Sequence, residues 1–149
     1  MVCCSMARMS SYDTDILEWS ERQAALLRRL ANGERVNDAV DWPNVIEEVE
    51  SVGRSELAAV ESLLTQALSH MLKLQAWPTA PGARGRASEV RVFRRQARRR
   101  FTEAMRQRID LASLYADARD LLPDEIDGQP PAPVPDVCPF TLDDVLTEG

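Results

Sequence analysis

Residues 55–77, SELAAVESLLTQALSHMLKLQAW, carry Leu57, Val60, Leu64, Ala67, Leu68, Met71 and Leu74 at steps of three and four. That spacing belongs to one helix face. Leu63, Leu72 and Trp77 widen the face until little of the circumference is polar. A helix so apolar has to be covered on several sides, so it is predicted to be the central helix of the fold. Around it the same period predicts further helices. The first runs from about Thr14 to Asn32 with Ile16, Trp19, Gln23, Leu27 and Leu30 on one stripe, capped by Asp13 or Thr14 and stopped by a left-handed Gly33. The second spans Pro43 to Val52 with Val45, Ile46, Val49 and Val52 as its apolar side; Asp41 is its candidate cap and Gly53 its end. A junction at Gly53-Arg54-Ser55 would then turn the chain sharply into the central helix, as a crossed or antiparallel pair.

Pro78 to Gly85 reads as a loop. A basic helix follows from near Ser88, with Val90, Phe93, Ala97, Phe101 and Ala104 facing inward and Arg91, Arg94, Arg95, Arg98 and Arg99 across the back. Leu111 to Leu122 forms a fifth helix, and Thr141 to Leu146 a last turn or two, capped by Thr141 with Asp144 three residues on. Residues 123–140 are Pro-rich and predicted irregular, and residues 1–11 are predicted to be a flexible tail. No strand alternation is present. The expectation is therefore an all-α fold: residues 12–149 as a single-domain helical bundle of about five helices around the apolar helix 55–77.

Charge changes this picture more than composition does. Between Arg84 and Arg108 stand ten arginines against Glu89 and Glu103, a net of +8, which leaves −14 for the rest of a chain whose total is −6. The overall charge disfavours non-specific binding to nucleic acid. No apolar run approaches the ~20 residues of a membrane span, and the N-terminus carries no apolar run suited to a secretory signal. Cys3, Cys4 and Cys138 make neither a disulfide framework nor a CxxC pair, which points to reduced thiols and a cytoplasmic location.

The order of motifs resembles a known family. Tyr12-Asp13-x-Asp15 with Trp19 comes first, then Asp41-Trp42 leading to Ile46-Glu47-Glu48-Val49-Glu50-Ser51-Val52-Gly53-Arg54-Ser55-Glu56. His70-Met71-Leu72-Lys73-Leu74-Gln75, the basic helix and Cys138-Pro139-Phe140-Thr141 complete it. In that order, over residues 12–147, the chain resembles the bacterial family called domain of unknown function 29. The resemblance implies an α-helical fold and no established activity. The chain departs from the family where an aromatic residue often follows the serine that opens the basic helix; here it is Glu89.

Three constellations carry candidate chemistry. Glu47 and Glu50 share a helix face, and an antiparallel pair of helices would bring them towards His70, the chain's only histidine. Two carboxylates and an imidazole with an open position suit a catalytic metal, although no HExxH or CxxC motif supports it and no cofactor is expected. The arginine face is the second. Its forks match phosphate oxygens, but Phe93 and Phe101 lie on the apolar stripe, so base stacking is not provided for. Internal pairing with the acidic 43–52 helix or the acidic C-terminal tail is the preferred reading of these arginines. The third is Pro130 to Pro135, an extended stretch that serves either as a recognition segment or as a stiff tail packing Phe140 and Leu142 onto the bundle. Trp19, Trp42 and Trp77 are read as packing residues. The expectation that results is a non-enzymatic helical protein acting through a protein partner or self-association. A metal-dependent enzyme using Glu47, Glu50 and His70 is the alternative, and a nucleic-acid-binding regulator stands third.

Overall fold

A computed structural model describes residues 10–147; the tail predicted over residues 1–11 lies, up to residue 9, outside them. The fold is all-α, and among the described residues no strand occurs beyond one isolated bridge, Ile126 to Gln129. The helices are α1 (Ser11–Thr14), α2 (Ile16–Ala31), α3 (Trp42–Ala76), α4 (Ala83–Arg100), α5 (Glu103–Arg106), α6 (Leu111–Asp120) and α7 (Leu142–Leu146), with one 3-10 turn at Asn37–Ala39. The chain divides into two compact units, residues 1–53 and 54–149, and α3 supplies residues to each.

The break predicted at Gly53 does not occur: Trp42 to Ala76 is one helix of 35 residues. Glycine inside a helix costs only about 1 kcal/mol relative to alanine. The runs on either side, VIEEVESV and SELAAVESLL, are helix-compatible, so the ladder passes through. Pro43 stands in the first turn, where no backbone donor is lost. Gly33 does what was expected of it. It adopts φ 86°, and the amides of Gly33 and Glu34 donate to the carbonyls of Leu30 and Arg29 at 2.9 and 3.0 Å, the paired bonds of a Schellman stop. The cap at the other end of α2 is Asp15, which accepts from the Glu18 amide at 3.0 Å, because Ser11–Thr14 forms a separate turn.

In the first unit, tryptophans and carboxylates hold the chain together. Trp19, buried, donates its indole N–H to Asp41 Oδ2 at 2.9 Å. The Asp41 amide donates to Oε1 of buried Gln23 at 2.8 Å, and Asn44 Nδ2 donates to Asp41 Oδ2 at 2.8 Å. Asp41 thus caps α3 and anchors α2 against its start. Tyr12 donates to Glu48 Oε1 at 2.7 Å, and its ring meets Trp19 edge-on at 4.9 Å.

In the second unit Val60, Leu64, Ala67, Leu68 and Leu72 of α3 are fully buried, with Ala97, Tyr115, Ala118, Val145 and Leu146 packed on them. The central apolar helix is therefore where the periodicity placed it. Asp110 caps α6 through the Ser113 amide, and α7 carries the expected capping box of Thr141 and Asp144. Residues 123–140 are not wholly irregular. Asp127 (φ 52°) and Gly128 (φ 74°) form the two central residues of a tight hairpin whose flanks, Ile126 and Gln129, exchange both backbone bonds at 3.0 Å. Asp-Gly is a favoured pair for that turn. The stretch beyond is anchored as well: Tyr115 Oη donates to the Pro135 carbonyl at 2.6 Å, and Val134, Cys138, Phe140 and Leu142 pack on the core.

Candidate functional site

The predicted arginine face is split in two by the fold. Helix α4 begins at Ala83, earlier than predicted, and ends at Arg100, so Ala104 falls in α5 and is exposed. Its buried side is Val90 and Ala97, with Phe93 half-buried. On the flank of that side, Arg98 Nη1 donates to the Leu146 carbonyl at 3.2 Å and Arg94 Nη1 to the Thr147 carbonyl at 3.3 Å. Two cations therefore cap the negative end of α7 and satisfy carbonyls that have no partner within the helix. Arg94 also reaches Met71 Sδ at 3.3 Å. Arg100 pairs with Glu56 at 3.5 Å, and Arg106 with Glu103 and Asp143 at 2.6 and 3.0 Å.

Arg91, Arg95 and Arg99 are treated differently. They stand on successive turns, all exposed, and among the described residues no carboxylate is paired with them; Arg91 has only Ser88 Oγ at 3.3 Å. Exposed Val92 lies beside them. At 1.5 Å per residue the three guanidinium groups rise from about 12 Å of helix.

Glu47 and Glu50 belong to the first unit and His70 to the second, and all three lie in the sequence of α3. The antiparallel pair that was to join them required the break at Gly53. Among the described residues no three His, Cys, Asp or Glu side chains are grouped so as to hold a metal ion. His70 instead stacks on Phe93, ring centroids 5.4 Å apart, with Nδ1 3.2 Å from Glu89 Oε2 but out of line for a hydrogen bond. Burial pushes the imidazole pKa below its ordinary value; Glu89 acts upward, and Lys73 and Arg86 act downward. Glu89 is thus the charged neighbour of the chain's one histidine. Nothing in the local spacing announced that pair, since 19 positions separate the two residues.

Two further features lie elsewhere. A groove of about 550 Å³ runs between Trp77–Pro81 and Ile126–Ala132, floored where Trp77 Nε1 donates to the Gln129 carbonyl at 2.8 Å. The Tyr12–Glu48 and Trp19–Asp41 bonds show that the motif residues of the first unit are engaged with one another. Glu48 and neighbouring Asp13 and Glu47 raise the Tyr12 pKa, the hydrogen bond to Glu48 most of all. Asn44 and then Trp19 hold the Asp41 carboxyl below the usual carboxylate range.

Fold and site together define an all-α protein with a buried central helix, an internally bonded set of motif residues and an open arginine stripe. The chain belongs to the family described as domain of unknown function DUF29, whose sequence model matches residues 11–149. It is similar to the crystal structure of an alpha-helical protein of unknown function from Rhodospirillum rubrum, with 30% identity over 94% of this chain and 91% of that one, at a TM-score of 0.66. Among curated proteins none matches significantly. No helix of the described residues is long and apolar enough to cross a membrane.

Proposed function

We propose that this protein acts without catalysis, by docking an acidic partner protein on the stripe Arg91, Arg95 and Arg99. The observation that supports the reading is selective use of the arginines. Arg94 and Arg98 close off α7, and Arg100 and Arg106 take carboxylates, while the three on the outer turns are left to solvent. An arginine fork matches a carboxylate in two places. The exposed side of α4 offers no aromatic ring for a base, so a protein carboxylate surface is the better fit than nucleic acid. Action in the bacterial cytoplasm belongs to the same reading; there the free thiol of Cys138 stays reduced.

The test is affinity purification from the native host with the full chain and with R91A/R95A/R99A. Surface substitutions of this kind change stability by about 0.5 kcal/mol or less, so the variant should fold. Partners held by the parent and lost by the variant, with release at raised salt, support the reading. The same partners on both chains refute it, and recovery of nucleic acid alone replaces it.

A further inference from the structure

Six of the exposed large apolar side chains lie between residues 16 and 52: Ile16, Leu17, Trp42, Ile46, Val49 and Val52, from 42% to 70% exposed. Four of them are on the first turns of α3, and at 100° per residue they fall within about a third of its circumference. The sequence pattern marked this side as one to be buried. Within the first unit, α1 and α2 cover the neighbouring side instead, through Tyr12 to Glu48 and Trp19 to Asp41. Ile16 lies in the chain between those two anchors and is 52% exposed. A contiguous apolar stripe left to water marks a contact surface.

Its surroundings select the occupant. Residues 41–52 contain Asp41, Glu47, Glu48 and Glu50 and no lysine or arginine; residues 10–53 hold ten acidic against four basic side chains, a net of −6. A second copy using the same face would bring two such segments together and be repelled. The basic helix of a second copy fits poorly, because the apolar side of α4 is already buried in its own core and Val92 is what remains. An anionic membrane surface is repelled likewise. The stripe spans about 15 Å over ten residues and has Gly53 at its end, where an added Cβ would meet nothing within 4 Å. A small residue on an open helix face lets another helix approach closely.

We propose that the stripe Trp42, Ile46, Val49 and Val52 is the docking site for a basic amphipathic helix of a partner protein. This site is separate from the arginine stripe of α4 and does not depend on it. Helix-in-groove recognition of this kind sets apolar anchors at three- and four-residue steps and fixes partner choice by flanking charge.

Fluorescence anisotropy of the full chain with two labelled 18-residue peptides tests it. Both carry the same leucine stripe, and their polar face is lysine in one and glutamate in the other. The lysine peptide is expected to bind and the glutamate peptide not. V49S/V52S, which alters no charge, should weaken the lysine peptide at least tenfold, and R91A/R95A/R99A should bind it as the parent does. Equal binding to V49S/V52S would reduce the contact to charge alone and overturn the proposal, as would failure of the lysine peptide or equal binding of both peptides. Sedimentation showing a dimer that V49S/V52S abolishes would assign the face to a second copy. Marked loss of stability to urea in V49S/V52S would show an interior face, and would overturn the proposal too.

Discussion

Two glycines with the same open surroundings should respond to alanine with opposite signs. At both Gly33 and Gly53 an added Cβ meets no heavy atom within 4 Å, so sterics do not separate them. The backbone does. Gly53 lies inside the continuous α3, whereas Gly33 has φ 86°. Alanine in a helix interior is favoured over glycine by about 0.5–1 kcal/mol, since it loses less conformational freedom. Alanine forced into a left-handed conformation costs about 1–2 kcal/mol. For a chain of this length each kcal/mol moves Tm by about 2–4 °C. Gly53→Ala should therefore raise Tm by about 2–3 °C, and Gly33→Ala should lower it by several degrees. Thermal and urea unfolding followed by far-ultraviolet circular dichroism measures both, with tryptophan fluorescence as the check that one transition is being followed. If the chain turned at Gly53 with a left-handed stop, as its sequence context invites, both substitutions would destabilise. A loss of stability in Gly53→Ala refutes the continuous helix.

The same helix supplies a second contrast. Leu68→Ala removes a side chain that is 0% exposed and should cost about 2–5 kcal/mol, whereas Val49→Ala, 70% exposed, should stay within about 0.5 kcal/mol; urea midpoints decide. Asp41→Ala removes the α3 cap and leaves the indole N–H of buried Trp19 without an acceptor, a loss of about 2–3 kcal/mol by denaturant titration. Because the folded Asp41 carboxyl titrates below its ordinary range, its contribution is complete above about pH 4. It is lost as pH falls through the folded value, a dependence the alanine variant should lack. His70 is depressed by burial, so the unfolded chain takes up its proton first. Stability is complete above the ordinary value near 6.5 and declines as pH falls towards the folded one. NMR titration of the imidazole should place it below 6.5, and lower again in Glu89→Gln; an unshifted or raised value would contradict the burial.

Periodicity was a good guide wherever a side chain met its neighbours along one helix. Leu64 and Leu68 are fully buried as their spacing required, and Thr141 with Asp144 closes α7 within four residues of chain. It failed where two conformations differ by about 1 kcal/mol, as at Gly53, because propensity on either side settles such a choice. The hairpin at Asp127-Gly128 is legible in that dipeptide, although the surrounding prolines point to irregular chain. The pairings of Arg94 and Arg98 with α7 and of His70 with Glu89 were beyond local reading. A helical stripe says which side is apolar, and not which distant element will meet its margins.

That distinction also bears on where function resides. The residues that carry the family resemblance in the first unit, Tyr12, Trp19, Asp41 and Glu48, are tied to one another by bonds of 2.7–2.9 Å. Such a set explains its own composition, because removing one member leaves another without a partner. It fixes α2 against one side of α3, and in doing so determines which side of α3 is left open. On the readings proposed above the motif is scaffold, and the proposed docking surfaces are the neighbouring apolar stripe and, in the second unit, the outer arginines of α4. If the motif instead formed a catalytic centre, Tyr12→Phe would abolish an activity while leaving the helix content and stability of the first unit intact. The bond to Glu48 requires the reverse: Tyr12→Phe destabilises the first unit.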